Sequence, residues 1–252
     1  MQLKFLGTGS GKTSLSRFHS SLLFSADKNI LIDAGDGISK ALLKQNILWN
    51  DIDAIILTHY HADHLAGLPS LLTQMIIDRR EKPLKIYTHS NLVKTLSSFL
   101  QASFLFPQSF DFELSIIGFN FNSEISVSSN FTFKAEQNSH ITNKHNIQNV
   151  NFISSSFLFS VNGKNIFYTS DIGSSNDFSL FKNEKIDCFI TETTHITLDD
   201  IKNFVLRKNF KSVILTHISD SDIEILTKFV NMLNNSYNLN VILAEDGLDF
   251  PL

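Results

Sequence analysis

Three imidazoles and a carboxylate fall within the segment Thr58-His59-Tyr60-His61-Ala62-Asp63-His64. The apolar run 54–57 before it reads as a strand, and the amphipathic stretch 65–78 after it reads as a helix. Four ligating groups at one strand-to-helix turn converge on a small volume. Imidazole and carboxylate suit zinc and similar divalent ions. His59 and His61, two positions apart, can reach one ion, and Asp63 and His64, one turn on, can reach a second. Buried without compensation such groups would be costly, and a cation removes that cost.

Three later residues suit the same scheme. His140 follows the apolar run 131–135, Asp171 follows 165–168, and His217 follows 212–215. Each stands just beyond an apolar strand, where open sheets place their sites. Taken singly, a histidine after a strand is more often a bystander than a ligand. With the central cluster they make five histidines and two aspartates, enough for two metals. His145 is the rival to His140. His19 and His89 read as surface or hydrogen-bonded residues.

Strands are expected at 3–6, 21–24, 30–32, 54–57, 84–87, 131–135, 157–161, 165–168, 188–191, 212–215 and 240–244. Helices are expected at 38–45, 65–78, 91–101, 197–208 and 221–234. Asn162-Gly163 marks a tight hairpin, because both residues tolerate positive φ. Residues 107–130 have the weakest periodicity and read as an irregular strand pair or a loop over the site. No linker, charge run or internal repeat interrupts the chain, so residues 1–252 read as one domain. A chain of 252 residues buries a core without staples, which makes any metal functional rather than structural.

The formal charge of −4 gives no basic footprint for an obligate nucleic-acid binder. The single cysteine, Cys188, excludes an intramolecular disulfide and reads as a buried thiol in a reducing compartment. No secretory apolar segment and no membrane-length apolar run is present, so a cytoplasmic protein without membrane contact is expected. The 23 phenylalanines carry no functional reading.

THYHADH matches the HxHxDH signature of the metallo-β-lactamase superfamily, and the resemblance continues through Asp33, His140, Asp171 and His217 in order. It implies an α/β (α+β) four-layer αββα sandwich. Within the superfamily the chain looks most like ribonuclease Z and its phosphodiesterase relatives. That likeness is carried by Phe5-Leu6-Gly7-Thr8-Gly9-Ser10, Arg17, Ser20-Ser21, His64-Leu65-Ala66-Gly67-Leu68-Pro69 and Leu215-Thr216-His217-Ile218-Ser219. It implies one divalent ion on His59, His61 and His140, and another on Asp63, His64 and His217. Asp171 would bridge the two and Asp33 would orient the ligand loop. Zinc is the expected metal, with manganese or iron as alternatives, and a homodimer is common among such relatives.

Two departures from ribonuclease Z matter. Those enzymes carry a glutamate after the strand equivalent to 188–191, and a later histidine that helps protonate the leaving oxygen. Here Glu192-Thr193-Thr194-His195 compresses that spacing, leaving His195 as either the acid or a bystander. Ribonuclease Z also inserts a tRNA-gripping arm before the bridging aspartate, but His140 and Asp171 are only 31 positions apart.

The first functional expectation is therefore a metal-dependent hydrolase of small or nucleotide-type phosphodiesters, with nucleic acid not favoured. Asp63 would take a proton from the attacking water, and His195 would give one to the leaving group. The alternatives are hydrolysis of a thioester, lactone or β-lactam, ribonuclease Z-type tRNA 3′ cleavage, and a non-catalytic metal-binding role. Gly9-Ser10-Gly11-Lys12-Thr13 resembles the end of a phosphate-binding loop, but Leu6 stands where that motif needs glycine. It reads instead as a turn whose small residues let the backbone approach the site.

Overall fold

Strands with both faces apolar must be covered on both sides, and here that requirement builds the layers. The computed structural model describes residues 2–252. β1 (Gln2–Gly7), β2 (Ser21–Ser25), β3 (Asn29–Ile32), β4 (Ala54–Ile56), β5 (Leu84–His89) and β6 (Leu114–Phe119) pair in that order. β7 (Glu124–Ser128), β8 (Phe131–Gln137), β9 (Ser155–Val161), β10 (Lys164–Tyr168), β11 (Cys188–Glu192), β12 (Ser212–Thr216) and β13 (Val241–Leu243) pair in order as a second sheet. The last strand, β14 (Asp249–Pro251), returns to the first sheet beside β1 and makes it seven-stranded like the second.

Both sheets run antiparallel on one side and parallel on the other. β3, β4, β5 and β6 are parallel neighbours, as are β10, β11, β12 and β13. Parallel pairs need crossovers, and helices supply most of them. α1 (Ile38–Lys44) joins β3 to β4, α2 (Ala62–Leu65) and α3 (Leu68–Ile77) join β4 to β5, and α4 (Val93–Ala102) joins β5 to β6. α5 (Leu198–Val205) and α6 (Ile223–Tyr237) do the same between β11, β12 and β13. No helix among the described residues is long and apolar enough to cross a membrane.

Alternate residues point to different cores. Leu22, Phe24, Ile30, Ile32, Ala54 and Ile56 of the first sheet meet Phe133, Phe157, Phe159, Ile166 and Ile190 of the second. Their neighbours Leu23, Leu31 and Ile55 face outward onto Leu42, Leu71 and Leu72 of α1 and α3. In the second sheet Leu158, Phe167 and Phe189 face Ile201, Val205 and Phe229 of α5 and α6. The order helix, sheet, sheet, helix is the αββα sandwich. Phenylalanine fills its centre: Phe24 lies 5.2 Å from Phe131, and Phe133 lies 5.6 Å from Phe157, ring centre to ring centre. Cys188 sits in this core, and burial pushes its thiol up to about 12.

The Asn162-Gly163 hairpin forms as expected, with φ of 48° and 77° and Val161 paired with Lys164. The expected helix 65–78 divides at Gly67 into α2 and α3. Residues 107–130 are not a loop over the site. β6 is the edge of one sheet and β7 the edge of the other, so this segment carries the chain between sheets. Edge strands bury one face at most, which explains their weak apolar pattern.

Candidate metal centre

The site lies at the C-terminal ends of the parallel strands, where several loops leave in an unusual backbone conformation. Asp33 after β3, Ser170 after β10 and His217 after β12 have φ of 62°, 53° and 54°. Left-handed φ in non-glycine residues is uncommon and persists where surrounding contacts enforce it. Glycine makes one close approach possible. A Cβ on Gly35 would lie 1.8 Å from the carbonyl oxygen of Asp63. The α2 turn thus presses onto the β3 loop, and Ala34 N–H donates to the His64 carbonyl at 2.8 Å.

All seven expected ligands come together, in two groups. His59 Nε2 and His140 Nε2 each lie 3.1 Å from His61 Nδ1. Asp63, His64, Asp171 and His217 form the second group. There His217 Nε2 is 3.3 Å from Asp63 Oδ2 and 3.2 Å from Asp171 Oδ2. Asp171 Oδ2 is also 3.7 Å from His140 Nε2, so this carboxylate stands between the groups. His145 lies in the exposed stretch 142–151, outside every such group among the described residues.

Two atoms of the second group test whether a cation belongs there. His64 Nε2 and Asp171 Oδ1 are buried and make no hydrogen bond. Buried polar atoms are almost always satisfied, so two that face each other at 3.4 Å without a hydrogen bond suit a site that holds a cation. His64 Nδ1 is 2.7 Å from Asp33 Oδ2, which aims Nε2 at Asp171. The donor set and these atoms fit divalent cations.

Electrostatics agree. Burial, with His64 close by, holds His59 well below the ordinary imidazole range, and burial pushes His140 down to about 4. Both are therefore neutral, the form that binds a metal. Burial opposes ionisation of Asp63, but the imidazoles of His217 and His64 beside it outweigh burial and hold the carboxyl well below its usual range. Asp171 is likewise held low against burial, by His217 and His64. Burial works against charge on His64, yet Asp171 and Asp33 raise it well above the ordinary value.

The centre opens into a cleft of about 460 Å³ lined by Lys12, Asp63, His140, Asp171, His195 and His217 among others. His195 stands at its rim, its ring centre 4.7 Å from that of His140 and its Nδ1 2.9 Å from Glu192 Oε2. The hydrogen bond to Glu192 raises its pKa. The glycine turn after β1 also reaches the site: a Cβ on Gly11 would lie 3.1 Å from Asp63 Oδ2. Sequence reasoning noted Glu192 without placing it in the site, and missed Thr194 and Lys12. The only signal for them was proximity to His195 and to the glycine turn.

The family model described as "Anti-Pycsar protein Apyc1" matches residues 1–234. A ribonuclease Z of Prochlorococcus marinus (strain MIT 9215) is 38% identical over 107 residues, covering 41% of this chain and 34% of that protein. That match thus spans about a third of the relative's length. Among solved structures, the metallo-β-lactamase fold protein YhfI of Bacillus subtilis superposes with a TM-score of 0.77 at 18% identity, over 99% of this chain and 98% of YhfI. The short form of human tRNase Z gives 0.74 at 22% identity, over 100% and 99% of the two chains. These likenesses show the metallo-β-lactamase fold.

Proposed function

Because the chain belongs to the family of the anti-Pycsar protein Apyc1, and its seven ligating side chains gather around Asp171, we propose that it is a hydrolase with two divalent ions that cleaves small or nucleotide-type phosphodiesters. The observation that carries this is a pair of buried atoms that face each other without a hydrogen bond, His64 Nε2 and Asp171 Oδ1, inside a complete donor set. His59, His61 and His140 would hold one ion, and Asp63, His64 and His217 the other, with Asp171 standing between the two groups. Zinc suits these donors, and manganese or iron are the alternatives. Such ions lower the pKa of water and offset negative charge on phosphoryl oxygens.

The side chains then have separate tasks. Asp63, which lines the cleft, would accept a hydrogen bond from the attacking water and hold its proton only in passing. The water oxygen bonds to phosphorus as the bond to the leaving alkoxide breaks. His195, anchored at Nδ1 by Glu192, carries the proton the alkoxide needs. Lys12 at the cleft mouth attracts an anionic substrate. The buried thiol of Cys188 supports a reducing, cytoplasmic setting.

A second reading is tRNA cleavage, favoured by the names ribonuclease Z and tRNase Z among the similar proteins. Against it stands the short stretch 141–154 between His140 and β9, where no strand or helix forms a gripping arm. Phosphate contacts supply most non-specific RNA affinity, and 21 basic residues face 25 acidic ones here. The test is a substrate panel on metal-defined protein: bis-p-nitrophenyl phosphate, a thioester, a lactone, a nitrocefin-type lactam and precursor tRNA. Turnover of the diester ahead of the others is expected. Accurate, efficient cleavage of precursor tRNA would overturn the small-substrate claim.

A further inference from the structure

Two buried carboxylates serve the centre in the same way, one from each sheet. Asp33, just past β3, lies 2.7 Å from His64 Nδ1 and accepts from Thr58 Oγ1 at 2.9 Å. Thr58 Oγ1 is 3.0 Å from His59 Nδ1. Glu192, the last residue of β11, lies 2.9 Å from His195 Nδ1 and accepts from Thr194 Oγ1 at 2.9 Å. Thr194 Oγ1 is 2.8 Å from His217 Nδ1. Each carboxylate therefore takes one imidazole directly and a second through a threonine hydroxyl. Asp33 is 0% exposed and Glu192 1%, so water cannot replace these partners.

A hydroxyl has one hydrogen to give. Each threonine gives it to its carboxylate, so the lone pairs of Oγ1 face the imidazole, and the imidazole must donate. Nδ1 of His59 and of His217 then carries a hydrogen, and Nε2 is the ring nitrogen left facing the ligand groups. Backbone N–H groups brace both carboxylates, from Thr58 on Asp33 and from Ile172, Thr194 and His195 on Glu192.

We infer that Thr58 and Thr194 are positioning residues that each set the tautomer of one metal ligand, Thr58 for the ion on His59, His61 and His140, and Thr194 for the ion on Asp63, His64, Asp171 and His217. The inference rests on the two-ion reading above. Removing one hydroxyl weakens one ion and spares the other. Partners of this kind typically alter metal affinity by about 10–100-fold. Glu192 has a double duty, since it also anchors His195.

The test uses Thr58→Val and Thr194→Val, with Thr58→Ser and Thr194→Ser as conservative controls. Ring ¹⁵N NMR of metal-free protein reads the histidine tautomers, and native mass spectrometry under chelator competition counts zinc ions and ranks their affinities. In wild type and both serine variants His59 and His217 should be Nδ1–H. Thr194→Val should lose that state at His217 alone and bind one of two ions about 10–100-fold more weakly. Thr58→Val should do so at His59. Unchanged tautomers and affinities in the valine variants, or failure of serine to preserve them, would overturn the assignment. A wild type that binds only one ion would instead overturn the two-ion reading, and the tautomer spectra would still decide the threonine roles.

Discussion

His64 Nε2 and Asp171 Oδ1 face each other across 3.4 Å, both buried and neither hydrogen-bonded. Leaving a polar atom unsatisfied in the interior costs about 1–3 kcal/mol. The chain places these two atoms, and five other ligating side chains, on the loops and the short helix α2 that follow the ends of strands. A packed core gains nothing from that arrangement, while a cation satisfies it.

Asp171 reaches both ligand groups, so its loss should disturb both ions. Asp171→Asn is expected to lower kcat/KM on a phosphodiester by about 10³-fold, a barrier increase of about 4 kcal/mol. Elemental analysis should show fewer than two ions per chain. Full metal content with unchanged kinetics would remove Asp171 from the bridging place.

His195 has its Nδ1 tied to Glu192, which suits a proton donor at the cleft rim. His195→Ala should slow diesters with poor leaving groups by about 10²-fold or more, the usual range for a positioned acid. On p-nitrophenyl esters the loss should be small, since that group leaves without a proton. Equal losses on both substrate types would take the acid role away from His195.

Much of this was legible in the sequence, and the reasons differ by residue. His59, His61, Asp63 and His64 were visible because they are neighbours in one segment. Asp171 and His217 were visible because each follows a short apolar run, 166–168 and 213–215, near the end of a strand, and buried parallel strands leave that signature. Glu192 gave no such contrast. It ends a strand whose five residues are all buried, and its partners Ile172 and His217 come from other elements. The hydroxyl of Thr194 is informative only once His217 is known to lie 2.8 Å away. β6 and β7 were obscure because each lies at the edge of a different sheet. β14 was missed altogether, because its single apolar residue, Phe250, stands between Asp249 and Pro251 and makes no apolar run.

The core between the sheets joins both halves of the chain, and this supports the proposal that residues 1–252 unfold as one domain. Phe159 is fully buried there, 5.1 Å from Phe24 of the opposite sheet. Phe159→Ala should cost about 3–5 kcal/mol, from lost burial and the cavity left behind. Denaturant unfolding of the metal-free protein, followed by fluorescence and circular dichroism, should give one coincident transition for wild type and variant. Two separated transitions would contradict a single domain.

Burial, resisted by Asp171 and aided by His195 and His61, pushes His140 down to about 4. In the unfolded chain a histidine titrates near about 6.5. Between these values the unfolded state binds a proton that the folded state refuses. The stability due to His140 is thus fully present above about 6.5 and is lost as pH falls toward about 4. Thermal melts of metal-free protein should fall more steeply over this window in wild type than in His140→Gln. Parallel curves would show that His140 is not held neutral.

The most direct test is to titrate zinc into metal-free protein while following hydrolysis of bis-p-nitrophenyl phosphate. Two ions on seven ligands sharing Asp171 predict that activity climbs to its plateau at two equivalents and that a chelator abolishes it. A plateau at one equivalent, or diester hydrolysis that never appears while a thioester, lactone or lactam is turned over, would contradict a two-metal phosphodiesterase.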